Sequence, residues 1–127
     1  MSILIKDMQN VWLLNYVDKV SVRVGMYLGS EKVSDFALFL QGYFQAMSDM
    51  KQPLCLDEKI LQGFTAWLSL RLQTKSSLNW SGLIQYKIDN SDTSMRSFFR
   101  LFKEYTNTEY YENLDGLILR YQGLVNE

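Results

Sequence analysis

The chain has 127 residues, with 13 Lys and Arg against 14 Asp and Glu and no His. At 47% apolar and 21% charged, it is too apolar and too nearly neutral for intrinsic disorder or for a protein that coats nucleic acid. The missing His removes Ser-His-Asp and Cys-His catalysis and most zinc sites, and the length fits a single domain spanning residues 1–127, able to bury roughly two-thirds of its unfolded surface.

The N-terminus, Met1-Ser2-Ile3-Leu4-Ile5-Lys6-Asp7, has no basic leader and no long apolar run. It reads as no signal peptide, which makes the cytoplasm the expected compartment. A first, weaker helix is predicted near residues 6–18, where Met8, Val11, Trp12 and Tyr16 fall on one side. A Gly-bearing stretch follows at 21–30, and a stronger helix at 34–50. Its side chains Phe36, Phe39, Leu40, Tyr43, Phe44 and Met47 recur at spacings of three and four. Ser34 or Asp35 is its natural cap. Pro53 reads as the break before a third helix, 57–73, which Asp57 would cap and which carries Ile60, Leu61, Phe64, Trp67, Leu68 and Leu72.

Gly63 inside that helix costs about 1 kcal/mol relative to Ala, which close packing against a neighbour would explain. Residues 80–88 alternate partly, as a strand would, but a lone strand has no partner, so a short helix is expected. Asp89-Asn90-Ser91-Asp92-Thr93-Ser94 reads as a turn and cap. The helix 93–106 places Met95, Phe98, Phe99, Phe102 and Tyr105 in near-ideal order, and 109–125 repeats the pattern. Five or six amphipathic helices with short connections make an all-α bundle. No apolar run approaches the ~20 residues of a membrane helix.

Few motifs carry chemistry. The lone Cys55 cannot form an internal disulfide and reads as a small, part-buried apolar residue. Asn79-Trp80-Ser81 matches the glycosylation acceptor pattern, which has no use without secretion. Arg23-Val24-Gly25-Met26-Tyr27-Leu28-Gly29 is similar to a segment beside the nucleotide site of type II topoisomerase ATPase domains. The other motifs of that site are missing, so Arg23, Gly25, Met26, Tyr27 and Gly29 read as a structural loop. Gly25 and Gly29 permit positive φ, Met26, Tyr27 and Leu28 tuck into the bundle as a plug, and the Arg23 charge holds a helix C-terminus.

The stretch from Asp89 fails as a calcium loop, because Ser94 and Arg100 stand where Gly and Glu are needed. Asp57-Glu58 and Glu109/Glu112 are carboxylate pairs without a second wall to converge on, and Glu109 and Glu112 suit the first turn of a helix. Arg96, Arg100 and Lys103 line one helix face and read as solvated. Nothing calls for a cofactor or a metal.

Charge is unevenly spread. Residues 1–103 hold 12 basic and 9 acidic side chains, whereas 104–127 hold Glu104, Glu109, Glu112, Asp115 and Glu127 against Arg120 alone. The acidic segment also carries Tyr105, Tyr110, Tyr111 and Tyr121. Tyrosine among carboxylates suits contact with a basic protein. The candidate contact residues are therefore Glu104, Glu109, Tyr110, Tyr111, Glu112 and Asp115. The bland reading makes the tyrosines core and the acids mere solvation.

Several apolar and Gly positions together carry a resemblance. They are Arg23 to Gly29, the helix Phe36-Ala37-Leu38-Phe39-Leu40-Gln41-Gly42-Tyr43, then Phe64, Trp67 and Leu68, and later Phe98-Phe99-Arg100-Leu101-Phe102. Over most of 21–105 this order resembles small bacterial immunity proteins of contact-dependent growth inhibition systems. Val24 stands where such sequences often have Pro, and 106–127 lie outside the resemblance. It implies a non-enzymatic inhibitor that binds a cognate toxin C-terminal domain delivered by a neighbouring cell and neutralises it in the cytoplasm. Those toxins are commonly nucleases, tRNA-cleaving ones included, with basic substrate grooves that an acidic surface would occupy or cover. No direct nucleic-acid or membrane contact is implied. The alternatives are a helical adaptor in another bacterial assembly and, further off, a nucleotide-binding protein or enzyme working without His.

Overall fold

Three helices of this protein begin against side chains that belong to other parts of the chain. The computed structural model describes residues 2–9, 11–23, 30–50 and 55–126. Among them are six α-helices: α1 (Trp12–Val22), α2 (Val33–Asp49), α3 (Cys55–Arg71), α4 (Trp80–Leu83), α5 (Met95–Thr108) and α6 (Leu114–Asn126). The chain is all-α. Among the described residues the only extended pairing is one antiparallel bridge, Leu4 to Tyr110.

The first amides of a helix have no partner within it and need one from outside. In α1 the Leu13 amide donates to Asp57 Oδ1 of α3 at 3.3 Å. In α2 the Val33 amide donates to Ser94 Oγ at 2.8 Å, while the Met95 amide returns a bond to the Glu31 carbonyl at 2.9 Å. In α4 the Trp80 amide donates to Thr65 Oγ1 of α3 at 3.1 Å, and Asn79 caps locally through the Gly82 amide. These bonds fix where each helix starts relative to its neighbours.

The expected caps are corrected accordingly. Neither Ser34 nor Asp35 caps α2, whose N-cap is Lys32 without a side-chain bond. Asp57 does not cap its own helix. It lies in the first turn of α3, buried, and caps α1 instead.

Helices α2, α3 and α5 lie within two residues of their predicted bounds. The ambiguous 80–88 is helical, α4 continuing into a π-helical turn, Ile84–Ile88, closed by the Asp89 amide on the Ile84 carbonyl at 2.7 Å. The two outer helices start later than predicted, for one reason. The N-terminal segment runs extended beside the α5–α6 connection. Ile5 donates to the Glu109 carbonyl at 3.0 Å, and Tyr111 donates to the Ile3 carbonyl at 2.9 Å. Ahead of α1 the described residues therefore hold the 3-10 turn Ile5–Asp7 with extended backbone at Met8 and Val11, and Glu109-Tyr110 is extended before the 3-10 turn Tyr111–Asn113.

The core is built around Phe64, fully buried. Phe98 and Phe102 meet it edge-on at 5.8 and 5.2 Å, and Tyr105 and Trp80 lean on it at 5.3 and 6.2 Å. On the outer side, α1 and α2 are joined by a stack of four rings in the order Phe39, Tyr16, Trp12, Tyr43. The expected loop glycines Gly25 and Gly29, the expected plug Met26, Tyr27 and Leu28, the break at Pro53 and the Cys55 side chain lie outside the described residues. Among the described residues no helix is long and apolar enough to cross a membrane.

Candidate functional site

The acidic segment is held in shape by the N-terminal strap. Beyond the two backbone bonds at Glu109 and Tyr111, the Ile3 amide points between both oxygens of Glu112, 3.0 Å from each. Those donated bonds hold the Glu112 carboxyl below its ordinary range. The strap crosses the connection, so Glu109 to Glu112 form a fixed ledge at the junction of α5 and α6.

The predicted contact residues fall into two groups. Glu109, Tyr110, Tyr111, Glu112 and Asp115 come together at this ledge. Tyr110 is exposed. Tyr111 is half-buried, with the Lys59 ammonium 5.0 Å from its ring centre. The same Lys59 pairs with Asp115 at 3.1 Å. Glu104 is tied elsewhere: it pairs with Arg71, which also lies over the Trp67 ring at 5.0 Å. Lys59 and Arg71 stand at opposite ends of α3, twelve positions apart, or about 18 Å along its axis.

The four tyrosines of the segment serve different purposes. Tyr105 is core, its hydroxyl bonded to the Ile60 carbonyl. Tyr121 is half-buried and donates to the Ser76 carbonyl at 3.2 Å. Only Tyr110 among them is exposed. The ledge thus offers one open ring between acids, two of which already have partners within the fold.

The remaining candidates are dispersed. Arg23 is the exposed C-cap of α1, its amide on the Val20 carbonyl at 3.2 Å. Arg96, Arg100 and Lys103 are exposed along α5. Asp57 and Glu58 diverge, the first buried at α1 and the second exposed. Asp89 serves its own turn, where bonds from Ser91 and Ser97 hold its carboxyl below the ordinary range. Among the described residues no three carboxylate or thiol side chains converge as metal ligands would.

One surface escaped the sequence reading. Between Asp35 and Asp49, α2 carries no charge, yet Leu38 and Phe39 are exposed. Beside them runs an open groove of about 870 Å³. Ala37, Gln41 and Phe44 form one wall and Leu61, Gln62 and Trp80 the other, and among the described residues Glu58 is the one charged side chain of its lining. The signal was present, since a helix with apolar residues on more than one face has more apolar surface than a single core contact covers. Comparison with known proteins yields no matching family model, no matching curated protein and no matching solved structure.

Proposed function

We propose that this chain is an immunity protein of a contact-dependent growth inhibition system, binding and neutralising a cognate toxin domain in the cytoplasm by contact rather than by catalysis. Its partner is a basic nuclease domain, whose substrate groove the acidic ledge occupies or covers. The observation that carries this reading is the ledge itself. Glu109 and Glu112 lie with the exposed Tyr110 on a connection already pinned by the strap, and Asp115 follows in the first turn of α6. Pre-ordering such a surface lowers the entropy lost on binding, and its charge speeds encounter with a basic partner.

The test is co-expression with the C-terminal toxin domain encoded beside it, scored by growth and co-purification. Restored growth with a one-to-one complex supports the reading. Failure of both overturns it. Within such a complex, Glu109→Lys with Asp115→Lys should slow association by about tenfold or more at low salt, with much less effect at high salt. An unchanged association rate removes the ledge from the interface.

The second reading is a helical adaptor, and the groove beside α2, with Glu58 as the single charge among its described lining residues, favours it. Leu38→Glu would then abolish partner capture, while the double charge reversal at the ledge would not.

A further inference from the structure

A second cleft, of about 370 Å³, opens between α1 and α5, at the small end of the range in which ligand sites fall. Its floor is apolar: Phe102 and Val17 are buried, and Phe99 and Leu14 are half-buried. Its rim is polar. Lys103, Thr106 and Asn107 come from α5, Asp18 and Ser21 from α1, and Lys6 from the strap.

The strap decides where the positive charge gathers. Because the Ile5 amide is bonded to the Glu109 carbonyl, Lys6 is held near the C-terminal turns of α5, the same end that bears Lys103 and Asn107. Among the described residues neither lysine lies within ion-pairing distance of a carboxylate. The helix end contributes about half a negative charge, which two ammonium groups exceed. Among the described residues Asp18 is the one acid of the rim, and it stands on the α1 wall.

The hydroxyls are already engaged as donors. Ser21 donates to the Asp18 carbonyl at 2.7 Å and Thr106 to the Lys103 carbonyl at 3.2 Å. Donation to a ligand therefore falls to Lys6, Lys103 and Asn107.

We propose that this cleft binds a small amphiphilic anion, a free molecule with one carboxylate or phosphate group on an apolar body. The anionic group meets Lys6, Lys103 and Asn107, and the apolar body covers Phe99, Phe102, Leu14 and Val17. A bare anion forgoes the apolar floor. A neutral apolar molecule leaves both lysines without a counter-charge.

Amide chemical-shift titration of the full chain tests this with four probes: phenyl phosphate, phenylacetate, inorganic phosphate and benzyl alcohol. Saturable shifts at Lys6, Leu14, Asp18, Lys103 and Asn107 are expected with phenyl phosphate or phenylacetate, whichever head group fits. Binding of inorganic phosphate and of benzyl alcohol should be weaker by about tenfold or more. Lys6→Gln with Lys103→Gln should weaken the favoured anion by at least about fivefold while leaving the melting temperature unchanged, since both side chains are exposed and unpaired. The proposal is overturned by an absence of shifts at the cleft. It is equally overturned by inorganic phosphate or benzyl alcohol matching the amphiphilic anions, or by unchanged affinity in the double variant.

Discussion

The Tyr105 hydroxyl donates to the Ile60 carbonyl at 2.7 Å, three residues before the only glycine of α3. A Cβ at Gly63 would lie 2.5 Å from that same hydroxyl and 2.7 Å from a methyl of Leu114. The glycine is therefore what lets α5 and α6 close onto α3. Burial, with the nearby Glu109 charge adding to it, pushes the Tyr105 phenol well above its ordinary range, so the ring stays neutral and keeps its proton for Ile60.

This contact makes a coupled prediction. Tyr105→Phe loses one buried hydrogen bond, about 1 kcal/mol. Gly63→Ala gains about 1 kcal/mol of helix propensity but meets the overlap, and overpacking of this kind costs about 1–3 kcal/mol. The net effect should be destabilising. In Gly63→Ala/Tyr105→Phe the hydroxyl is gone, so the double variant should lose less than the two single losses together. Urea unfolding of the four proteins checks this; strict additivity would mean that Leu114, and not Tyr105, sets the limit.

Asp57 predicts a pH dependence. Burial raises its carboxyl above the ordinary 3.8, and the bond from the Leu13 amide offsets this only in part. With the folded value above the unfolded one, the native state binds more protons between the two, so stability falls as pH rises through that window. Asp57→Asn keeps an oxygen for Leu13 and carries no charge. It should match the parent below about pH 3.8 and be equally or more stable at pH 7. Asp57→Ala removes the cap and should cost about 0.5–2 kcal/mol. Thermal melts across pH decide the matter, and an Asn variant as damaged as the Ala variant at pH 7 would contradict the burial argument.

The same residue shows what the sequence makes legible. Asp57 was recognisable as a cap, but its helix was not, because α1 lies 44 positions away. Ser94 likewise sits where a cap belongs and serves α2, 61 positions back. Helices α2, α3 and α5 are readable because their apolar spacing is a local property. The ends of α1 and α6 are not, because Ile3 and Glu112 meet across 109 positions and nothing in either segment announces the other. The acidic segment is legible as charge, while the pairing of Glu104 with Arg71 and of Asp115 with Lys59 appears only once α3 is folded beside them.

Glu112 offers a local test of the strap. Its carboxyl lies below the ordinary 4.5 chiefly because the Ile3 amide donates to it, with its own amide assisting. A lowered folded value means that the stabilising contribution is complete above the unfolded value and is lost as pH falls through the folded one. The Ile3 amide proton should therefore titrate with a midpoint below 4.5, and Glu112→Gln should abolish that titration. A midpoint at or above the ordinary value would mean that the strap is not held by this carboxylate.

The ring stack makes the final prediction. Trp12 lies between Tyr16 at 4.8 Å and Tyr43 at 3.9 Å, with interplanar angles of 11° and 7°. Tyr16 in turn stacks on Phe39 at 5.3 Å. Trp12 thus joins one α1 ring to one α2 ring, and its removal severs the stack at its middle. Each aromatic pair contributes about 0.5–1.5 kcal/mol beyond area burial. With the lost burial of a half-exposed indole, Trp12→Ala should cost about 2–4 kcal/mol. Trp12→Leu restores much of the apolar contact but no stack, so it should recover only part of that loss. The damage should also be local. Native-state hydrogen exchange should quicken in α1 and leave α5 protected, because the Phe64 cluster does not include Trp12. Equal acceleration in both helices would show that α1 unfolds only with the whole bundle, and that the Leu13–Asp57 bond, not the stack, keeps it in place.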